Sequence, residues 1–472
     1  MKINQYLIYH TFIIDLIDIF DIKLSMNIKS DNSVCIIGLG FVGLTLAVVM
    51  ANKGFKVYGV EKNKSILNSL KKKQAHFYEP GLKENLKKII KKKNFLFFNK
   101  IPIIKSISTY IITVGTPLNS KKKITTHFIS KAVNQISSIL KNNDMIILRS
   151  TVKIGTTKKL VFPILKKTGK KFNLAFCPER SVEGSALKEL LNLPQIIGGV
   201  DKDSENRALR IFKKITKKTI VASNVETAEM IKLIDNSSRD VFFAYANEIA
   251  RTCDAIGLDA SEVIGSGKLD YNRTDIAKPG LVGGPCLYKD PYIFSESVKR
   301  KGLSAEITLM ARKINERQPY EIVDFIYNFQ KKIKKFPNKL KISLLGLAFK
   351  GTPVTDDLRG SMALEVFKAL KNKFKSSKFY GYDPLVSKAN ILKLGLKKIS
   401  SLEDSFKNKD LVVILNDHKI FSTMPIEKFS KNLNKPSIIY DFWNHFSRRN
   451  LNLAKSTQYI SLGSHYKSKK NI

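Results

Sequence analysis

Short runs of apolar side chains recur along this chain, each closed by glycine or small polar residues and followed by a helical spacing of apolar positions. The first, in "SVCIIGLGFVGLTLAVVMANKGFKVYGVEK", predicts a buried strand at 34–37, a glycine turn, an apolar helix and a second strand at "KVYGV". "STYIITVGTP" at 108–117, "DMIILRSTV" at 144–152 and "FNLAFCPERSVEG" at 172–184 predict further buried parallel strands. From position 223 the period lengthens to that of a helix. "SNVETAEMIKLIDNSSRDVFFAYANEIARTCDAIG" predicts one long helix, opened by the capping box Ser223-x-x-Glu226. Strand patterns return at 342–346, "KFYGYDPL", "DLVVIL" and "SIIYDFW".

With 472 residues, two or three domains are expected rather than one core. The pattern divides the chain into an α/β unit at 31–222, a helical unit at 223–334 and a second α/β unit at 335–465, with a tail at 466–472. Residues 1–30 read as an upstream extension: "IYHTFIIDLIDIF" is apolar, but Asp15, Asp18 and Asp21 interrupt it as no signal peptide would. No run reaches the ~20 apolar residues of a membrane span, so no membrane partner is expected.

The net charge of +42 raises a nucleic-acid reading, but only 13 of the 82 basic residues are arginine, the lysines are scattered, and no nucleic-acid motif accompanies them. A solvated basic surface is the better reading, and no nucleic-acid partner is expected. Its field would still favour an anionic substrate. Cys35, Cys177, Cys253 and Cys286 form no CxxC pair and no metal-ligand spacing with histidine, so no metal and a reducing cytoplasmic location are expected.

Strand, Gly38-x-Gly40-x-x-Gly43, helix and strand, in that order, predict a Rossmann dinucleotide site. Gly38 would allow the tight turn, Gly40 close approach of a pyrophosphate, and Gly43 close packing of helix on strand. Phe41 and Val42, inside the fingerprint, belong to the same site. Glu61, closing the second strand, would bind the adenosine ribose and repel the extra phosphate of NADP, so NAD is expected. Thr116 and Thr151 lie at strand ends, beside the cofactor. Glu179 of "PER" is either a strand-end functional acid or half of a surface ion pair. Lys232 and Asn236 share one helix face at i and i+4, although a lysine among Ile231, Leu233 and Ile234 could simply snorkel to solvent. Cys286 in "LVGGPCLYKD" could be a nucleophile, a small buried apolar residue or incidental to a glycine turn.

Taken in order, "GLGFVGL", "EPGL", "GTP", "STV", "PER", Lys232 with Asn236, "GGPCLYKD" and "GLAFKGTPVTDDLR" resemble the UDP-glucose/GDP-mannose dehydrogenase family over about residues 32–445. The resemblance implies an N-terminal Rossmann NAD-binding domain, a central long-helix dimerisation domain and a C-terminal Rossmann-like UDP-binding domain. It also implies NAD-dependent oxidation of the C6 hydroxyl of a UDP-sugar to a carboxylate in two hydride steps, for glycan precursor synthesis. Cys286 would add to the intermediate aldehyde as a thiohemiacetal and then carry a thioester that water hydrolyses. Lys232 and Asn236 would stabilise the developing oxyanion, Asp290 assist proton transfer through water, and Glu179 and Thr151 manage the catalytic water. Lys289, Glu183 and Arg359 would lie on the NAD side. Gly283, Phe349 and Lys350 would hold the uridine diphosphate, with Arg273 reaching in from a partner subunit of a homodimer or larger oligomer. The paired glycines before the cysteine are expected to let the ligands approach the backbone.

UDP-glucose, UDP-N-acetylhexosamines and GDP-mannose all suit these motifs. "YNRTDIAKPGLV" and the lack of an arginine in "YDFWNHF" depart from the family pattern where the sugar is chosen. Two other readings are a single-step hydroxyacid-type NAD(P) dehydrogenase, which needs neither Cys286 nor a third domain, and a noncatalytic nucleotide-sugar or nucleic-acid binding protein.

Overall fold

The computed structural model describes residues 31–299, 301–446 and 451–465. The expected extension at 1–30 and tail at 466–472 lie outside the described residues.

Two sheets organise the chain. The first contains β1 (Ser33–Ile37), β2 (Lys56–Val60), β3 (Phe95–Phe98), β4 (Thr109–Ile112), β5 (Asp144–Leu148), β6 (Phe172–Phe176), β7 (Gln195–Gly199) and β8 (Thr219–Val221). Its order is β3-β2-β1-β4-β5-β6-β7-β8, parallel except where β7 meets β6. The second contains β9 (Lys341–Leu345), β10 (Lys378–Tyr382), β11 (Lys397–Lys398), β12 (Leu411–Ile414), β13 (Ser437–Asp441) and β14 (Thr457–Ser461). Its order is β11-β10-β9-β12-β13-β14, wholly parallel. In both sheets the strand order reverses beside the first strand, and a crevice opens there at the carboxyl ends.

β3, β7, β8, β11 and β14 carry no clear pattern in sequence, and they stand at or toward sheet edges. β7 reads "QIIGG" because its glycines lie under packed chain: a Cβ on Gly198 would stand 2.8 Å from Asn224 O, and one on Gly199 2.6 Å from Asp201 O. Close approach replaces the β-branched alternation by which a strand is normally read.

A 32-residue helix, Val225–Ile256, crosses between the sheets and packs on the helix Glu306–Gln330. Its cap lies one residue later than the sequence suggests. Asn224, not Ser223, takes extended backbone and accepts from Thr227 N at 2.8 Å, while Glu226 pairs with Lys158 at 3.0 Å instead of closing a capping box. At the other end Gly257, at φ 83°, terminates the helix with its N–H on Cys253 O. Where the two helices cross, buried Arg312 binds Asp240 Oδ1 at 2.9 Å and also reaches Leu287 O and Val282 O at 3.0 and 2.9 Å. The segment carrying Cys286 is thus tied to both helices. No helix among the described residues is long and apolar enough to cross a membrane.

Candidate active site

A cleft of about 540 Å³ runs from the glycine turn of the first sheet, past the long helix, to the first turn of the second sheet. At the cofactor end Gly38 takes φ +95° and donates to Val60 O at 2.8 Å. A Cβ on Gly43 would sit 1.8 Å from Gly38 O, so only glycine lets the helix Phe41–Asn52 start against that turn. A Cβ on Gly40 would meet nothing within 4 Å, which leaves its backbone facing open cleft. The Glu61 carboxylate accepts from Leu39 N at 2.9 Å and from Lys62 N and Asn63 N at 2.8 and 2.9 Å, tying the turn to the end of β2. Phe41, Val42, Thr116 and Thr151 line the same end, and Thr116 Oγ1 donates to Thr151 O at 2.8 Å.

Beyond β6 two acids diverge. Glu179 is buried, yet its pKa falls below the usual carboxylate value: burial pushes it up, but Arg149 at 2.6 Å and the N–H groups of Arg180 and Ser181, each at 2.8 Å, outweigh that push. Glu183 moves the other way, to about 8, through burial and then the nearby Asp357, although Arg359 lies 3.1 Å away. Lys350 donates to Glu183 O at 2.7 Å, and burial brings its ammonium down to about 8. Glu79, from "EPGL", shapes this loop by accepting from Gly184 N and Ala186 N, both at 2.7 Å.

Cys286 sits on the short helix Gly284–Leu287 with its side chain exposed to the cleft, whereas Cys35, Cys177 and Cys253 are buried. Burial pushes Cys35 and Cys177 to about 12. The Cys286 thiol is also raised, first by the protein around it; Lys232 and Lys289 pull it back, and Asp290 and Glu183 push it up. Behind it Asp290 is fully buried and clamped by Asn236 Nδ2 at 2.5 Å and Lys289 Nζ at 2.6 Å. Lys232 is buried on the cleft wall and makes no hydrogen bond or ion pair among the described residues. It points its charge at the thiol rather than snorkelling to solvent.

The paired glycines leave room for neighbouring chain. A Cβ on Gly283 would lie 2.3 Å from Gly360 O, and Gly284, at φ +93°, has no room for one beside the Phe349 ring at 2.4 Å. Gly284 N also donates to Gly360 O at 2.8 Å. Their bareness lets the 349–360 turn of the second sheet dock on the cysteine helix. "YDFWNHF" is likewise occupied by packing: Gly280 leaves room for the Trp443 ring, whose Nε1 donates to Leu415 O at 3.0 Å.

The cleft therefore gathers nearly all the residues selected from sequence. Gly43 and Asp290 sit just behind its surface. Arg273 does not line this chain's cleft; it is exposed, its guanidinium 5.1 Å from the centre of the Tyr271 ring. Arg180 of "PER" pairs with Asp235 at 2.7 Å, and sequence reasoning missed Arg149 and Arg239. Arg149 stands at the end of β5 and Arg239 continues the Lys232 and Asn236 face to i+7, so strand-end and helix-face placement could have found both.

Comparison with known proteins matches the NAD binding domain of the UDP-glucose/GDP-mannose dehydrogenase family to residues 32–216, its central domain to 226–317 and its UDP binding domain to 343–448. A UDP-N-acetyl-D-mannosamine dehydrogenase of Methanococcus vannielii is 34% identical over 414 residues, covering 86% of this chain and 91% of its own length. One from Escherichia coli K12 is 30% identical over 413 residues, covering 83% and 95%. The solved structure of a UDP-D-ManNAc dehydrogenase from Pyrococcus horikoshii superimposes with a TM-score of 0.81 at 29% identity, covering 92% of this chain and 100% of that one. Three domain matches in order, two like sheets and one cleft between them lead to one conclusion: this chain belongs to the UDP-glucose/GDP-mannose dehydrogenase family.

Proposed function

We propose that this protein oxidises the C6 hydroxyl of a UDP-N-acetylhexosamine, UDP-N-acetyl-D-mannosamine foremost, to the carboxylate, through a thioester on Cys286. The observation that carries the chemistry is the cleft-exposed thiol flanked by Lys232, Lys289 and Asp290, and the choice of sugar rests on the likeness to UDP-N-acetyl-D-mannosamine dehydrogenases. The open backbone at Gly40 and the anchored Glu61 suit NAD. When bound, NAD supplies a hydride acceptor for each of two oxidation steps.

In the first step the C6–H bond breaks and the hydroxyl loses its proton, giving an aldehyde; Lys232 and Asn236 present N–H donors to the oxygen as its charge develops. The Cys286 sulfur then bonds to C6, and the thiol proton passes to the new oxygen, giving a thiohemiacetal. Loss of the second C6 hydride and the hydroxyl proton leaves a thioester. Water adds to it, the C–S bond breaks, and the acid and the free thiol are released. Glu179, held as an anion by Arg149, is suited to accept a proton from that water. Glu183, Arg359 and Lys289 would flank the cofactor, and Phe349, Lys350 and Gly283 the uridine diphosphate.

We further propose a homodimer through the long helix, where Ile234, Phe242 and Tyr245 are exposed. Arg273 would then reach the cleft of the other copy. The free thiols suit a reducing, cytoplasmic compartment.

The test is NADH formation against UDP-N-acetyl-D-mannosamine, UDP-N-acetylglucosamine, UDP-N-acetylgalactosamine, UDP-glucose and GDP-mannose. The expected result is highest kcat/KM on UDP-N-acetyl-D-mannosamine, with two NADH per sugar. A preference for UDP-glucose would overturn the sugar assignment, and one NADH per sugar with an aldehyde product would overturn the thioester. The same assay checks Glu61. Glu61→Ala is expected to lower kcat/KM for NAD by about tenfold or more and raise relative use of NADP, because Lys62 and Lys131 remain on the cleft wall beside the lost carboxylate. An unchanged cofactor ratio would count against the ribose contact.

A further inference from the structure

Two loops leave the carboxyl ends of β4 and β5 and bring Thr116 and Thr151 to the cofactor wall. Each then meets the helix Asp290–Lys299, whose first residue is the buried acid behind Cys286. One side chain of that helix touches both loops. Glu296 Oε2 accepts from Ile124 N at 3.1 Å and its Oε1 from Lys153 Nζ at 2.9 Å, while Ser297 Oγ accepts from Ile154 N at 3.2 Å. The side chains of Lys153 and Glu296 are only 13% and 21% exposed, so salt screens this pair less than a surface one.

Apolar packing closes the same junction. Ile124, Leu233 and Ile293 are buried together, with Leu118 and Ile154 against them. On the long helix, Glu229 accepts from Gly155 N at 2.5 Å and from Thr157 N at 2.8 Å. The loop of Thr151 is therefore gripped between the helix that carries Lys232 and the helix that starts at Asp290. The loop of Thr116 reaches the second of these through the buried Ile124 and, at its exposed tip, through Lys122, which lies 2.5 Å from Tyr292 Oη.

We propose that Glu296 is a positioning residue for NAD: one carboxylate, with an oxygen on each loop, fixes the spacing of the Thr116 and Thr151 walls against the helix of Asp290. Glu296 does not itself line the cleft, so it acts through these threonines. Thr116 Oγ1 donates to Thr151 O at 2.8 Å, a link that survives only while the two loops keep their distance. A charge-assisted contact to one loop and a backbone contact to the other hold that distance, and small displacements of a binding wall are costly to what it binds. The effect falls on the cofactor, because the residues proposed for the uridine diphosphate, Gly283, Phe349 and Lys350, belong to other segments. The inference rests on NAD binding in this cleft and not on which sugar is oxidised.

The experiment titrates NAD and UDP calorimetrically into wild type, Glu296→Ala, Glu296→Gln, Lys153→Met and the double variant of the last two, with steady-state kinetics alongside. For Glu296→Ala, Kd and KM for NAD should rise about 5- to 20-fold, with Kd for UDP within about twofold. Glu296→Gln keeps an acceptor for Ile124 N but loses the charge facing Lys153, so it should weaken NAD by less. Lys153→Met should match it, and the double variant should be no worse than the worse single, because both remove one contact. An unchanged Kd for NAD would overturn the proposal, and so would an equal weakening of NAD and UDP, which is what a general loss of packing gives. If Glu296→Ala fails to fold, Glu296→Gln and Lys153→Met decide by the same split. A wild type that binds NAD but oxidises no UDP-sugar would sink the proposed reaction instead, and the NAD comparison would still decide Glu296.

Discussion

Cys286→Ala is expected to lower formation of the C6 acid by at least about 10³-fold while the protein stays folded. The side chain is exposed to the cleft, so its truncation opens no core cavity, and the helix Gly284–Leu287 is held by Arg312 and Gly360, not by the thiol. Its chemistry has no substitute nearby, because the other three cysteines are buried. The decisive measurement is NADH per sugar with product analysis. Wild type should yield two, and the variant should stall with aldehyde; a variant that still makes acid with two NADH at the normal rate would remove the thioester from the mechanism. The pH profile gives a second check. Because the Cys286 thiol is raised above its usual value, its reactive thiolate grows as pH rises, so wild-type turnover should climb on the alkaline side. Lys232→Met removes a charge that lowers that pKa and should move the climb to higher pH. An unmoved profile would remove Lys232 from the activation of the thiol, and an unchanged kcat as well would return it to packing alone.

Arg312→Met is expected to cost about 3–5 kcal/mol of folding stability, read as a lower urea midpoint. Arg312 and Asp240 are both fully buried, and removing the guanidinium leaves a carboxylate without its counterion inside the helix crossing. Burial already lifts Asp240 to about 6 against the pull of Arg312, and the variant should lift it further. Carbonyls 282 and 287, on either side of Cys286, also lose their donor, so turnover should fall even where the variant remains folded. A double variant, Asp240→Leu with Arg312→Met, should recover much of the stability, because no charge is then stranded. If both single and double variants unfold at the wild-type midpoint, the pair does not hold the cysteine segment in place.

The two predictions rest on different kinds of legibility. Cys286, Lys232, Asn236, Gly38, Gly40 and Gly43 could be selected from the chain because local rules mark them: strand followed by glycine turn, two polar residues one helical turn apart, a cysteine within a glycine and proline motif. The main strands of both sheets were legible for the same reason, since a buried parallel strand must be a continuous apolar run. Short edge strands were not, because β8 and β11 are only three and two residues long and β7 trades side chains for glycines. The helix cap slipped by one residue because Ser223 and Asn224 are both good caps, and backbone geometry chose between them.

What only the tertiary structure decided are the pairings between distant parts of the chain. Asp290 is clamped by Asn236, 54 residues away, and Glu179 is held as an anion by Arg149, 30 residues away. Gly283 and Gly284 are bare because the 349–360 turn presses on them, a contact between units that no local spacing encodes. Sequence by itself determined which chemical groups this protein owns and the two α/β frameworks that carry them, since apolar periodicity and glycine placement act over a few residues. Folding decided which groups are paired, buried or left free, because charge and desolvation depend on neighbours in space.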